Sequence, residues 1–340
     1  MSRLANMRVA YRLRWKRREL LYRAYRLRGE ITCQKDRTDQ IKPNMVLGFS
    51  TVRNEYERLP HFLAHHRALG VGHFFIIAND STDQTIPFLS EQSDVSLWTT
   101  DRSYKASRFG MDWLTWLLIR FGQGRWCLTL DADELLVYPH CDSRGLNALV
   151  AELERRGQPS FGALMIDLYP KGPVGDQSFE AGSDPLDCIA WFDADNYRRT
   201  AQPHLHNNLI QGGARDRLFF EATPRRAPTM NKTPLVKWHW RYAYMNSTHT
   251  LLPPRLNRVF SEPGFDRLSG ALLHTKFLPS IVERSVEERA RKQHFARSEA
   301  HTDYYEALVA NPDLWAPTSC RYDNWRQLVD LGLMSDGGWR

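Results

Sequence analysis

The chain has no uninterrupted apolar stretch long enough to cross a bilayer as a helix, and no charged-then-apolar leader of the secretory kind. Cysteine is scarce: Cys33, Cys127, Cys141, Cys188 and Cys320 are five in 340 residues, odd in number, scattered, and without a C-x-x-C pair. A disulfide framework and a zinc ribbon are thereby disfavoured, and a reducing cytoplasm is the expected setting. Internal repeats and low-complexity tracts are missing too. What remains is a globular composition, 42% apolar and 25% charged, long enough for one large domain or two small ones.

Charge is unevenly placed. Residues 1–37 hold twelve Lys and Arg against three Asp and Glu, a balance of +9, so the rest of a chain that totals +7 carries −2. Within this arm Leu13, Trp15, Leu20, Leu21, Tyr22, Tyr25 and Leu27 interleave with Arg and Lys. That is the pattern of a basic amphipathic helix lying on anionic lipid. Nucleic acid is the rival partner of any basic stretch, and a solvated helix the plain alternative. The recurring bulky apolar residues favour a membrane surface, and the near-neutral body argues against an extended nucleic-acid contact.

After Pro43 a regular alternation begins. Met45 to Phe49 reads as a buried strand, 57–69 as a helix with Leu59, Phe62, Leu63, His66 and Leu69 on one face and Gly70 as its stop. His73 to Ala78 is the second strand, 84–91 a short helix, Val95 to Thr99 the third strand, Phe109 to Phe121 a helix, and Trp126 to Leu130 the fourth strand. Strands alternating with helices predict an α/β fold with a Rossmann-like, mostly parallel central sheet and helices on both faces. Past Asp133 the pattern turns mixed. Leu146 to Leu153 reads as helix and Phe161 to Leu168 as strand, while 170–235 reads as long loops with short strands. Lys237 to Tyr244 alternates as a strand with Trp238, Trp240, Tyr242 and Tyr244 on one face, and Ile281 to Ala300 reads as a charged, solvated helix.

The most informative stretch is Asp131-Ala132-Asp133-Glu134, directly after the fourth strand. Carboxylates at the carboxyl end of such a strand face the crevice where open α/β sheets bind ligands. Hard oxygen ligands suit Mg²⁺ or Mn²⁺, commonly shared with substrate phosphates. On the motif alone, a metal site and a turn cap are both open. Two further exit loops, Val52-Arg53-Asn54-Glu55 and Asn79-Asp80-Ser81-Thr82-Asp83, bring polar groups to the same end of the sheet.

In that order, these three segments resemble glycosyltransferase family 2 of the GT-A fold, in the bacterial branch with N-D-S-x-D and D-x-D-E motifs. The match covers 44–140 well and 205–280 loosely. The resemblance implies a GT-A domain at 43–300 (nucleotide-binding half 43–140, acceptor half 141–300); the basic arm at 1–42 and the tail at 301–340 lie outside it. It implies that Val52, Arg53, Asn54, Glu55, Asn79, Asp80 and Ser81 line a nucleotide-sugar pocket. Asp133 would be the principal metal ligand, with Asp131 on the ribose or the metal, His274 as a further ligand and Lys276 on the phosphates. Its implied chemistry is sugar transfer, with inversion, from a nucleotide-diphosphate donor, a UDP-sugar first among them. The acceptor would be a glycan or lipid-linked molecule of cell-surface polysaccharide synthesis, at the inner face of the membrane.

Such transfer needs a general base. Asp216, between Arg215 and Arg217 and after two glycines, is the candidate, with Asp167 the runner-up and a structural pairing of Asp216 with its arginines the plain alternative. Trp238 and Trp240 are acceptor-site suspects, against a core role. Competing classes fit less well. A D-x-D-x-[TV] phosphohydrolase would need a small residue at Leu135, and a sugar nucleotidylyltransferase a Gly-rich loop near the first strand. The non-enzymatic alternative is a membrane- or nucleic-acid-binding module on the same scaffold.

Overall fold

The computed structural model describes residues 3–260, 266–291 and 302–340. Its strands are β1 (Thr32–Lys35), β2 (Val46–Val52), β3 (Val71–Asn79), β4 (Val95–Thr100), β5 (Trp126–Thr129), β6 (Glu134–Val137), β7 (Ser160–Asp167), β8 (Trp191–Asp193), β9 (Arg198–Gln202), β10 (Asn207–Gln211), β11 (Asn231–Lys237), β12 (Ala243–Tyr244), β13 (Leu251–Leu252), β14 (Gly270–His274) and β15 (Ser319–Arg321). The helices are α1 (Arg3–Arg26), α2 (Leu59–Leu69), α3 (Thr85–Glu91), α4 (Met111–Phe121), α5 (Leu146–Arg155), α6 (Gly213–Phe219), α7 (Ile281–Arg291), α8 (Thr302–Val309) and α9 (Trp325–Asp330). None of the described helices is long and apolar enough to cross a membrane.

Nine strands form one mixed α/β sheet in the order β1-β4-β3-β2-β5-β11-β7-β14-β6. The β4-β3-β2-β5 block is parallel, and β11 then runs antiparallel to both β5 and β7. Parallel strands are buried on both faces, which is why their sequences are continuous apolar runs. Successive residues go to opposite faces. Phe74 and Ile76 join the core under α2 and α5, while Phe75 and Ile77 join the core under α4. Helix α2 buries Leu59, Phe62, Leu63, His66 and Leu69 and stops at Gly70, whose φ of 105° lies in the left-handed region that glycine tolerates.

The chain order around β2 positions the site. From β2 it moves outward through β3 and β4, then returns to place β5 on the other side of β2. That reversal opens a crevice beyond the carboxyl ends of β2 and β5.

Three expectations are corrected. Lys237 to Tyr244 is not one strand: β11 ends at Lys237 and β12 holds only Ala243 and Tyr244. Trp238, Tyr242 and Tyr244 pack into the core against α4, whereas Trp240 is exposed. The stretch 301–340, expected as an aromatic-rich tail of weak periodicity, holds regular elements: α8 buries Tyr304, Tyr305 and Leu308, α9 buries Trp325 and Leu328, and β15 pairs with β8. Helix α7 is charged but not simply solvated, because Ile281 and Ser285 are buried. The expected continuation of this helix to Ala300 lies outside the described residues from 292 onward.

Candidate active site

At the end of β5 the chain turns through Asp131 to Asp133 and re-enters the sheet as β6, so Glu134 points inward while Asp131 stays 52% exposed. The Glu134 backbone N–H donates to the Asp131 carbonyl at 3.1 Å, and the Asp131 N–H donates to the Glu134 carboxylate at 3.2 Å. This tight turn brings ligand oxygens of Asp131, Asp133 and Glu134 within 4.8 Å of one another. The three carboxylates are hard donors of the kind a divalent cation takes, and the cluster could hold one.

Two cationic groups compensate this charge. Lys232 of β11, only 4% exposed, donates to Asp131 at 2.7 Å and to Glu134. Burial works against its charge, but Asp131 and Glu134 outweigh it and hold the ammonium above its ordinary range. Burial pushes Glu134 up to about 7 despite Lys232. On the other flank His274, at the end of β14, lies 3.1 Å from Asp133 through Nε2 and 2.6 Å from Asp167 through Nδ1. Burial opposes its protonation, yet the two carboxylates raise its pKa. Asp133 is held well below the carboxylate range: burial pushes it up, and His274, Lys276 and Arg58 more than offset that. Lys232 and His274 thus flank the three carboxylates from opposite sides, and Asp131 keeps its exposed face toward the cleft.

The cluster faces a cleft of about 440 Å³, within the size range of small-ligand pockets. Arg58, Arg215, Lys276 and Arg284 also line it. Arg58 and Arg284 both pair with Glu55, at 3.1 and 2.7 Å, and Arg284 donates to the Asn54 carbonyl at 2.6 Å. Arg215 is 2.7 Å from Asp167. Lys276, partly buried, has no ion pair or hydrogen bond among the described residues, and burial lowers its pKa.

Of the residues expected at a nucleotide pocket, Val52, Arg53, Asn54, Glu55 and Asn79 line this cleft, together with Asp131, Asp133, His274 and Lys276. Asp80 and Ser81 are not among its lining residues. They shape the loops instead. Ser81 Oγ accepts from the Asn54 N–H at 3.2 Å, and Asn54 Oδ1 accepts from the Thr82 N–H at 2.8 Å. Asn54 and Asp80 adopt positive φ of 49° and 52°, which Asn and Asp tolerate better than most residues. The Asn79 amide donates to the carbonyls of Thr100 and Arg102 at 3.2 and 2.9 Å, so that amide nitrogen is engaged within the fold.

The carboxylate of Asp216, the expected general base, is engaged within the fold. Asp216 is buried in a two-pronged pair with Arg198 and is not among the residues lining the cleft. Arg215 and Arg217, its sequence neighbours, pair elsewhere, with Asp167 and Asp193. Asp167 is 1% exposed and gripped by Arg215 and His274; against the upward push of burial these hold it at about 2. It positions His274. Both nitrogens of His274 meet carboxylates, so the ring links Asp133 to Asp167. Trp238 and Trp240 are also absent from the cleft lining.

Sequence reasoning missed Arg58, Lys232, His249 and Arg284. A lysine two residues before the Pro234-Leu235-Val236 run of β11 was the one available signal, since an unpaired buried ammonium is costly. The others depend on contacts between segments distant in sequence.

No protein-family model matches the chain, and no curated protein matches it. Solved structures overlap it loosely. A putative glucose-1-phosphate thymidylyltransferase from Bacillus anthracis, in complex with a sucrose, is 8% identical over 78% of this chain and 83% of that one, with a TM-score of 0.29. UTP-bound UGPase from Acinetobacter baumannii is 8% identical over 78% and 99%, with a TM-score of 0.30. A 4-diphosphocytidyl-2C-methyl-D-erythritol synthase is 14% identical over 43% and 68%, with a TM-score of 0.26. Similarities this low leave the side chains of the cleft as the ground for assigning a function.

Proposed function

We propose that the protein is a glycosyltransferase of the family 2 type, transferring a sugar from a nucleotide-diphosphate donor to a glycan or lipid-linked acceptor, with inversion. The observation that supports this best is the composition of the cleft, where three clustered carboxylates stand across from Arg58, Arg215, Lys276 and Arg284. A metal-bridged pyrophosphate matches both kinds of group, and among the cations Lys276 is the one without an ion pair or hydrogen bond among the described residues. The UDP-sugars are the first donors to test, and cell-surface polysaccharide synthesis at the inner face of the membrane is the setting.

Asp131 and Asp133 would hold Mn²⁺ or Mg²⁺, which when bound neutralises charge developing on the leaving diphosphate. Lys232 keeps Asp131 and Glu134 in place from the interior side, and His274 fixes Asp133. Lys276 offers an uncommitted ammonium to the donor phosphates. Asn54 and Glu55, held by Arg284, border the nucleoside.

The test is thermal unfolding with each nucleoside diphosphate, with and without Mn²⁺, followed by donor turnover in wild type and Asp133→Asn. Stabilisation by one base in a Mn²⁺-dependent manner, and loss of turnover by at least ~100-fold in the variant, are expected. A variant that keeps wild-type turnover, or an absence of any nucleotide effect, overturns the assignment. Release of pyrophosphate from UTP and a sugar 1-phosphate would replace it with nucleotidyl transfer.

A further inference from the structure

Helix α1 has two apolar faces: one packs on the body, and the other is exposed except at its end, where Tyr25 meets the Trp116 ring edge-on at 6.1 Å. Leu20 and Ala24 are buried, Leu20 in a cluster with Ala243 and Leu252. Leu4, Met7, Tyr11, Trp15, Tyr22 and Tyr25 are instead between 50% and 71% exposed. At 100° per residue these six fall within an arc of about 80°, on the side opposite Leu20 and Ala24. They make up six of the ten large hydrophobic side chains exposed among the described residues.

Arginines border this stripe on both edges. Arg8, Arg12 and Arg26 lie along one side, Arg14 along the other and Arg18 within the stripe, and all five are exposed. Arg18 reaches over the Trp15 ring at 4.9 Å and Arg26 over Tyr22 at 6.0 Å. The neighbouring loop adds exposed Trp240, with Arg241 over its ring at 4.6 Å. Arg241 and Arg255, with Arg14, add to burial in lowering the pKa of Arg17 on the inner side of the helix.

We propose that this outer face of α1 docks on an anionic lipid surface, the aromatic stripe at the headgroup boundary and the flanking arginines on lipid phosphates. The inference deepens the membrane setting given above and rests on that part of it, not on sugar transfer. Aromatic and aliphatic side chains beside arginines match such a boundary in both polarity and charge. A nucleic acid would call for cations without an intervening apolar stripe of this length, and a second copy would bring its own arginines against these.

The helix is also fixed to the body. Arg23 donates to fully buried Asp112 of α4 at 2.8 and 3.0 Å, and Arg108 meets the same carboxylate at 3.0 Å. Arg108 continues to the carbonyls of Tyr244 and Met245 at 2.7 and 3.0 Å, next to Asn246 in the cleft lining. A bilayer contact made through α1 therefore sets the orientation of the cleft and does not merely tether it.

Sedimentation of the full chain with phosphatidylcholine vesicles, with and without phosphatidylglycerol, tests this. Binding to the anionic vesicles only, weakened by salt, is expected. Tyr11→Ser, Trp15→Ser and Tyr22→Ser together should lower partitioning by at least ~10-fold with thermal unfolding unchanged, because these side chains touch the solvent. Arg8→Gln, Arg12→Gln and Arg26→Gln should each cost roughly five-fold. Absence of binding to anionic vesicles, or full binding by the triple serine variant, overturns the proposal. So does a dimer that the triple variant abolishes, or a preference for duplex RNA over anionic vesicles. Nucleotide-diphosphate stabilisation measured without vesicles keeps the two readings apart: its absence removes sugar transfer and leaves the docking result standing.

Discussion

Lys232 places its ammonium 2.7 Å from the Asp131 carboxylate, inside the acidic cluster that marks the cleft. The same ammonium holds Glu134, which is fully buried, so one lysine connects the most exposed carboxylate of the motif to its most deeply buried one. Removing one partner of a buried pair leaves the other without compensation, at a cost of about 3–5 kcal/mol. Lys232→Met is expected to lose stability on that scale in urea denaturation. The double variant Lys232→Met/Glu134→Gln should recover a large part of it, since the orphaned charge is gone. Equal losses in the single and double variants would show that packing of the lysine stem, and not the ion pair, is what matters.

Lys276 gives the opposite expectation. It lines the cleft and lacks a hydrogen-bond or ion-pair partner among the described residues, so Lys276→Met leaves no buried carboxylate stranded. Unfolding of the free protein should shift by less than about 1 kcal/mol. The stabilisation given by a nucleoside diphosphate with Mn²⁺ should fall by roughly ten-fold in apparent affinity, as for loss of one charge-assisted contact to phosphate. Unaltered nucleotide affinity would remove Lys276 from the donor site.

How far the sequence anticipates all this differs between the two halves of the chain. Strands β2 to β5 were readable because a parallel strand buried on both faces is a short apolar run, and Gly70 marks a helix end by its own chemistry. The acidic motif was readable because strand ends at a switch point face a crevice. Asp216 misled because its neighbours Arg215 and Arg217 suggested a local cluster, whereas its actual partner, Arg198, lies on the separate strand β9. Lys237 to Tyr244 misled because alternation over eight residues satisfies a strand template, while a turn at 240–241 breaks the pairing. Arg284 looked solvated because a charged helix shows nothing of Glu55, the residue it meets from more than two hundred positions away.

His249 makes a prediction about acid. Its ring Nδ1 contacts the Asn231 carbonyl at 2.7 Å, and burial, with Lys232 nearby, pushes its pKa down to about 4. The unfolded chain takes up a proton near pH 6.5 and the folded one does not, so this histidine lowers stability as pH falls from about 6.5 to about 4. The loss reaches on the order of 3 kcal/mol at the lower end. Buried His66, also held well below its ordinary value by burial, acts in the same direction. Stability measured by urea denaturation between pH 7 and pH 4 should fall less steeply in His249→Gln than in wild type. Parallel profiles would mean that His249 is solvated enough to titrate normally.

Asp112 determines whether α1 belongs to the body. Its side chain is completely buried at the start of α4 and receives Arg23 from α1 and Arg108 from the preceding loop. The neutral, shorter Asp112→Ala leaves two guanidinium groups facing each other with no carboxylate between them. Loss of about 3–5 kcal/mol is expected, the figure for an opened buried pair. Release of α1 should go with it, because what then remains is the small apolar cluster of Leu20, Ala243 and Leu252 with Leu13 and Leu21 beside it, and the Tyr25–Trp116 ring contact. Trypsin reads this directly, since α1 carries many arginines and a docked helix resists cleavage that a freed one does not. Rapid loss of a fragment of about 30 residues from the variant, with the wild type intact, is the expected result. Equal protection in both would mean that apolar contacts alone hold the helix, and that the Arg23–Asp112 pair contributes little to fixing it.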